Sequence, residues 1–312
     1  MTRRSSTVCS ASDAPPEATV STFLLLTITG LGLGAMYFLV ASGLSLIYGL
    51  MGVLNFAHGA FLTVGAYATW FAESKLGGIG SVPLRFLVAA LSGLAAGAVF
   101  AAVVELVLIR PLYRRHIEQV LVTVGLAIST VALVEGIWGS DARFYTLPGW
   151  FSGTTTVGGA YIPNDRWVEI AAAVVVFGGL TAFLRFTRYG LIIRAGVENR
   201  GMVTALGIDV QRAFTLVFAL GGLAAALAGV LSGIYFTSIT PDRGTSLLIF
   251  AFIVIVIGGL GSITGSAVAA VVVALSQQYV NYYSTGLGDL SVVLLLAVVL
   301  LARPTQLQGR LA

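Results

Sequence analysis

Between Glu17 and Glu73 the chain runs for 55 residues without one Asp, Glu, Lys or Arg. A helix spanning the hydrocarbon core of a bilayer needs roughly 20 apolar residues, so this run must cross a membrane at least twice with a break between. Further uncharged stretches occupy residues 86–104, 119–134, 170–184, 213–241 and 244–288. Composition agrees. The 312 residues are 57% hydrophobic and 10% charged, where ordinary globular chains are about 25% charged, and the mean hydropathy is +0.97. A soluble enzyme, a nucleic-acid binder and a disulfide scaffold are all excluded, Cys9 having no second cysteine to pair with.

The expected fold is an all-α, polytopic transmembrane bundle of about eight to ten spans with glycine-broken helices. Nine helices are predicted, near residues 23–41, 53–71, 84–109, 117–138, 168–184, 213–239, 245–260, 264–283 and 287–302. Residues 1–22, with Pro15, Pro16 and several Ser and Thr, read as a disordered tail rather than a cleaved signal peptide, because the apolar run starts too late and is too long. Residues 23–302 form the membrane domain and 303–312 a cytoplasmic tail. The largest connection, about residues 139–167, is too short to fold alone and reads as a lid or packed turn.

Orientation follows from the basic residues, since cytoplasmic loops retain excess Lys and Arg. Sixteen of the seventeen are arginines, the exception being Lys75. Arg110, Arg114 and Arg115, then Arg185, Arg188, Arg194, Arg200 and Arg212, then Arg303 and Arg310 mark the inner face. The alternate connections, with Lys75, Arg85, Arg143, Arg166 and Arg243 against Glu73, Asp141, Asp165, Glu169, Asp242 and Asp289, are nearly balanced and lie outside. Parity over nine spans puts the N-terminus outside, whereas Arg3 and Arg4 point inward. A tenth, partial crossing at residues 43–52 would reconcile the two.

Two glycine clusters, Gly43 through Gly49 and Gly52, and Gly258 through Gly265, interrupt apolar runs in the two halves. Glycine weakens helices, and paired interruptions are a mark of transporter repeats; close helix packing is the alternative reading. After the first cluster come Asn55, His58 and Gly59. His58 either lines a substrate path or is bonded to a carbonyl, with Asn55 as N-cap. A metal site is not expected, because His116 stands alone in an inner loop.

Ionisable residues in spans mark coupling-ion paths, and only Glu105 and Glu135 lie within the spans here. Each sits about one turn from a helix end and is expected to reach the interface. A phosphate loop needs Gly-Lys, whereas Lys75 follows Ser74. No catalytic constellation gathers Ser, His and Glu, so an enzyme is not expected. Residues 185–212 read as a charged inner loop containing a short surface helix, with Ala195, Asn199 and Val203 on one face, ending near Gly207.

The chain resembles the branched-chain amino-acid ABC transporter permeases over about residues 23–302. The resemblance is strongest at Tyr48-Gly49-Leu50-Met51-Gly52-Val53-Leu54-Asn55-Phe56-Ala57-His58-Gly59 with Gly65-Ala66-Tyr67, then at Gly190 to Ile208, then at Gly258 to Gly265. It implies a multi-pass subunit of the cell membrane, in contact with lipid, without cofactor, working with a second permease chain, two cytoplasmic ATP-binding subunits and an extracytoplasmic solute-binding protein. It places Asn55, His58 and Gly59 at or near the translocation path, and Arg194, Ala195, Glu198, Asn199, Ala205, Gly207 and Ile208 at the ATPase contact. The family often has an acidic residue after His-Gly, where this chain has Ala60, and it includes urea and amide importers. The expected function is import of a branched-chain amino acid or related small solute along an uncharged path. The alternatives are a secondary carrier and a passive channel.

Overall fold

In the computed structural model, residues 16–302 are described apart from Val53, Arg114, Leu206 and Ile208. The helices are α1 (Pro16–Met51), α2 (His58–Lys75), α3 (Val82–Val104), α4 (His116–Trp138), α5 (Asp165–Phe186), α6 (Arg188–Ala205), α7 (Val210–Tyr235), α8 (Arg243–Gly258), α9 (Ile263–Tyr283) and α10 (Gly288–Ala302). α6 corresponds to the surface helix expected in the inner loop, and the other nine match the nine expected helices. Six of them, α1, α3, α4, α5, α7 and α9, are long and apolar enough to cross a membrane; α8 and α10 are apolar but shorter.

α1 and α7 are the most buried of these six. They pack on each other, α1 also against α9 and α5, and α7 also against α2 and α3. Small residues allow this closeness, as expected where lipid supplies no hydrophobic drive between helices. Leu91 and Val99 on α3, Leu121, Ile128 and Leu133 on α4, and Val174 and Val175 on α5 are exposed. An apolar outer surface of that kind is solvated by lipid tails, not water.

Three expectations are corrected. α1 begins at Pro16, seven residues before the expected helix start at residue 23, in keeping with proline's fitness for a first helical turn. Gly43 and Gly49 do not break α1, which runs unbroken for 36 residues; the break falls at Gly52, whose φ is +68°. Within hydrocarbon the backbone satisfies itself only by staying helical, and these glycines serve contact instead: a methyl group on Gly43 would lie 2.7 Å from the Gly221 carbonyl oxygen. The partial crossing at residues 43–52 is therefore absent. The start of α1 lies beside the connection between α4 and α5, Leu24 meeting Gly158, the same side on which parity over nine spans puts it.

The outer connection between α4 and α5 is a packed turn. Strands β1 (Thr154–Val157) and β2 (Ala160–Pro163) form an antiparallel hairpin, Thr154 opposite Pro163, with Ala160 and Ile162 buried. Arg143 and Ile239 exchange two backbone hydrogen bonds of 2.9 and 2.8 Å. The buried Tyr145 hydroxyl donates to Ala66 O at 3.0 Å, and burial holds its ionisation well above the usual tyrosine range. The charge balance outside comes from pairing: Arg85 with Glu73 at 3.4 Å, and Arg166 with Asp165 at 3.2 Å and Glu169 at 3.3 Å.

Candidate translocation core and coupling helix

His58 opens α2 inside the bundle. Its ring is fully buried, Nε2 donates to Val40 O at 3.1 Å, and the ring meets Phe61 edge-on. Val40 lies eleven residues before the end of α1, about 16 Å along the helix at 1.5 Å per residue, so α2 starts at membrane depth. Asn55 is not the N-cap: that position is Ala57. Asn55 Oδ1 instead accepts from Ala57 N–H at 3.0 Å, a short turn of the kind Asn favours. Asn55 Nδ2 and His58 Nδ1 are buried without a partner among the described residues.

Gly59 is the point where α2 crosses α8. A methyl group on Gly59 would lie 2.6 Å from Gly244 O, and one on Gly244 would lie 2.1 Å from Gly59 O. Thr63 Oγ1, bridging the crossing, is 3.3 Å from both Gly59 O and Pro241 O. Asn55, His58 and Gly59 therefore come together in the buried interior, and none of them lines the cavity around Tyr37 and Arg243 or the one around Phe38 and Phe177. The two glycine clusters also meet, Gly49 against Gly261. The second cluster does break the chain: α8 stops at Gly258, Gly259 and Gly261 have φ of +94° and +83°, and Ser262 caps α9 by accepting from Gly265 N–H at 3.0 Å.

Glu105 does not reach the interface. It is fully buried, on a π-helical turn (Glu105–Ile109), where it accepts from Thr215 Oγ1 at 2.6 Å and from the Tyr113 hydroxyl and pairs with Arg110 at 3.5 Å. Glu105 continues the buried stripe of Gly97 and Ala101 at i+4 spacing, the face of α3 that packs on α7. Glu135 is exposed, as expected.

In the loop expected on the inner face, α6 is held at its start. Thr187 Oγ1 accepts from Gly190 N–H at 3.0 Å, and a methyl group on Gly190 would lie 2.4 Å from both Phe183 O and Leu184 O. Gly207 has a φ of +78°, and Asp209 caps α7 by accepting from Gln211 and Arg212 N–H at 3.1 and 3.3 Å. Ile193 and Val203 are buried, while Tyr189, Leu191, Met202 and Arg194 are exposed. The face read from Ala195, Asn199 and Val203 is thus corrected: Ala195 is half-buried and Val203 turns into the bundle, because the apolar anchor of α6 rests on α5 and α7. Ile208 lies outside the described residues, as do the side chains of Glu198, Asn199 and Ala205.

A bundle of long apolar helices, with the short helix α6 packed on α5 and α7, is the architecture of a polytopic membrane protein. The family model described as branched-chain amino acid transport system / permease component matches residues 26–303, and the chain belongs to that family. It is 31% identical over 300 residues to the high-affinity branched-chain amino acid transport system permease protein LivH of Escherichia coli K12, covering 92% of this chain and 96% of the relative. BraD of Pseudomonas aeruginosa, of the same description, is 30% identical over 295 residues, with 92% and 96% covered. Methanocaldococcus jannaschii has two probable branched-chain amino acid transport permease proteins that match, LivH at 28% over 85% of this chain and 86% of its own, and LivM at 23% over 80% and 79%. No solved structure matches the chain. The protein is a multi-pass permease component of the cell membrane, and not an enzyme.

Proposed function

We propose that the chain imports a branched-chain amino acid as one of two permease subunits, driven by two separate ATP-binding subunits and fed by an extracytoplasmic binding protein. The observation that carries this reading is α6: a helix packed against the end of α5 at Gly190 that leaves Tyr189, Leu191, Arg194 and Met202 exposed. Exposed apolar groups beside arginines on an inner face suit a protein partner. Energy must come from that partner, since the only lysine, Lys75, stands in no phosphate loop. The names of the relatives support the substrate, and two different permeases in one archaeon support a paired assembly.

In this reading residues 185–212 couple ATP-driven closure of the partner to the spans, and Arg194, Ala195, Glu198, Asn199, Ala205, Gly207 and Ile208 lie at or near that contact. Asn55, His58 and Gly59 form part of the gate rather than the wall of the path. The unpartnered Asn55 Nδ2 and His58 Nδ1 are costly in a static interior and find partners when the Gly59–Gly244 crossing opens. The test is reconstitution into liposomes with and without the ATPases and binding protein. Leucine uptake should require ATP and all components; uptake by this chain alone under an ion gradient, or with no energy source, would overturn the reading.

A further inference from the structure

A cavity of about 380 Å³ opens at the outer end of the bundle between α1, α8, α9 and α10. Its apolar lining includes Leu33, Tyr235, Phe236, Leu247 and Phe250, and its only charged side chains are Arg243 and Asp289. Among the described residues neither is in an ion pair, so one guanidinium and one carboxylate face the same space uncompensated. Arg243 stands at the start of α8, its guanidinium 4.2 Å from the Phe236 ring centre, and its Nε is buried without an acceptor. Asp289, in the first turn of α10, is held by a relay: Tyr37 hydroxyl donates to Gln277 Oε1 at 2.7 Å, and Gln277 Nε2 donates to Asp289 Oδ1 at 2.7 Å. Asp289 Oδ2 accepts no hydrogen bond among the described residues.

We propose that this cavity is a binding site for an aliphatic amino-acid zwitterion. Arg243 and the N-terminal end of α8 take the carboxylate, the arrangement by which broken membrane helices hold anionic groups. Asp289 takes the ammonium, and Leu33, Leu247 and Phe250 receive the side chain. The volume lies near the lower end of the roughly 300–1,000 Å³ typical of small-ligand sites, which fits one amino acid and not a peptide. The path is therefore charged at its outer mouth, with one group of each sign, although the sequence reads as offering an uncharged one. The Gly59–Gly244 crossing adjoins the site, because Gly244 lies between the lining residues Arg243 and Leu247. This proposal deepens the import reading and rests on it for the choice of leucine as probe.

The test uses the assembled transporter in right-side-out vesicles, with Cys9, the chain's sole cysteine, replaced by serine. Ser246→Cys, in the exposed part of the lining, is labelled with a membrane-impermeant thiosulfonate, and Ser140→Cys in the outer connection is the control. At leucine about ten times its dissociation constant, mass action leaves roughly one site in eleven open, so labelling at position 246 slows about tenfold and at position 140 not at all. Isovalerate and isoamylamine, each lacking one charge, protect far less, and Arg243→Gln or Asp289→Asn abolishes protection by leucine. Unchanged labelling of Ser246→Cys with saturating leucine, while leucine uptake persists, would overturn the site and leave the import reading standing. Protection by another aliphatic zwitterion without leucine uptake would keep the site and overturn the substrate. As a second measurement, Arg243→Gln and Asp289→Asn should raise the KM for leucine with assembly unchanged; an unaltered KM in both would overturn the site.

Discussion

Gly59 and Gly244 meet backbone to backbone, each leaving no room for a β-carbon beside the other's carbonyl oxygen. Two helices that begin at membrane depth are thereby locked start to start, directly beside the outer cavity. Any β-carbon at either site must push the helices apart. Gly59→Ala and Gly244→Ala should each destabilise the chain by about 1–3 kcal/mol, the usual cost of overpacking, and lower leucine uptake. Gly178→Ala, where nothing lies within 4 Å, should leave both unchanged. Thermal unfolding in detergent and uptake per mole of chain check this, and a neutral Gly244→Ala would contradict the packing.

Asp209 joins the coupling helix to α7 as a cap, and its pair with Arg212 at 2.9 Å is solvent-exposed and so contributes little. Asp209→Ala should cost about 1 kcal/mol, whereas Asp209→Asn, an equally good cap without the charge, should remain close to the parent. Equal losses in both would make the ion pair, not the cap, the stabilising contact.

Gly207 adopts a backbone conformation that costs an L-residue about 1–2 kcal/mol, and no side chain crowds it. Gly207→Ala should therefore lower ATP-dependent uptake partially, and Gly207→Pro, whose φ cannot reach +78°, should abolish it while the chain still inserts. Membrane localisation and uptake measured together check both halves.

Glu105 ties α3 to α7 through Thr215 and Arg110. Removing one partner of a buried pair costs about 3–5 kcal/mol, a figure reduced here because Arg110 is 33% exposed. Glu105→Leu should lower the thermal midpoint and the yield, with Glu105→Gln milder. Neither should alter ion dependence; uptake driven by a proton or sodium gradient and lost in Glu105→Gln would make this carboxylate a coupling group.

Charge spacing made the number and order of the helices legible, because a span must exclude charge over a fixed length, and the α6 helix was legible between Tyr189 and Gly207. What local pattern could not contain was who touches whom. Gly43 and Gly49 read as helix breakers because glycine weakens helices in water, yet inside the bundle they are contact points for Gly221 and Gly261. Glu105 reads as interfacial from its place near a helix end, yet it shares the buried face of Gly97 and Ala101, which α7 covers. Arg243 and Asp289 read as members of a balanced outer surface; their sharing of one cavity depends on α8 and α10 meeting, which 45 intervening positions of sequence do not reveal.

The most direct measurement pairs leucine uptake with recovery of the ATPase on the affinity-purified permease for Leu191→Asp and Arg194→Glu, two substitutions on the exposed face of α6 that leave its buried anchor intact. Loss of ATP-dependent uptake together with loss of the co-purifying ATPase, at unchanged membrane levels of the chain, is the expected result. Full uptake with the ATPase still bound in both variants would contradict the coupling role of this helix.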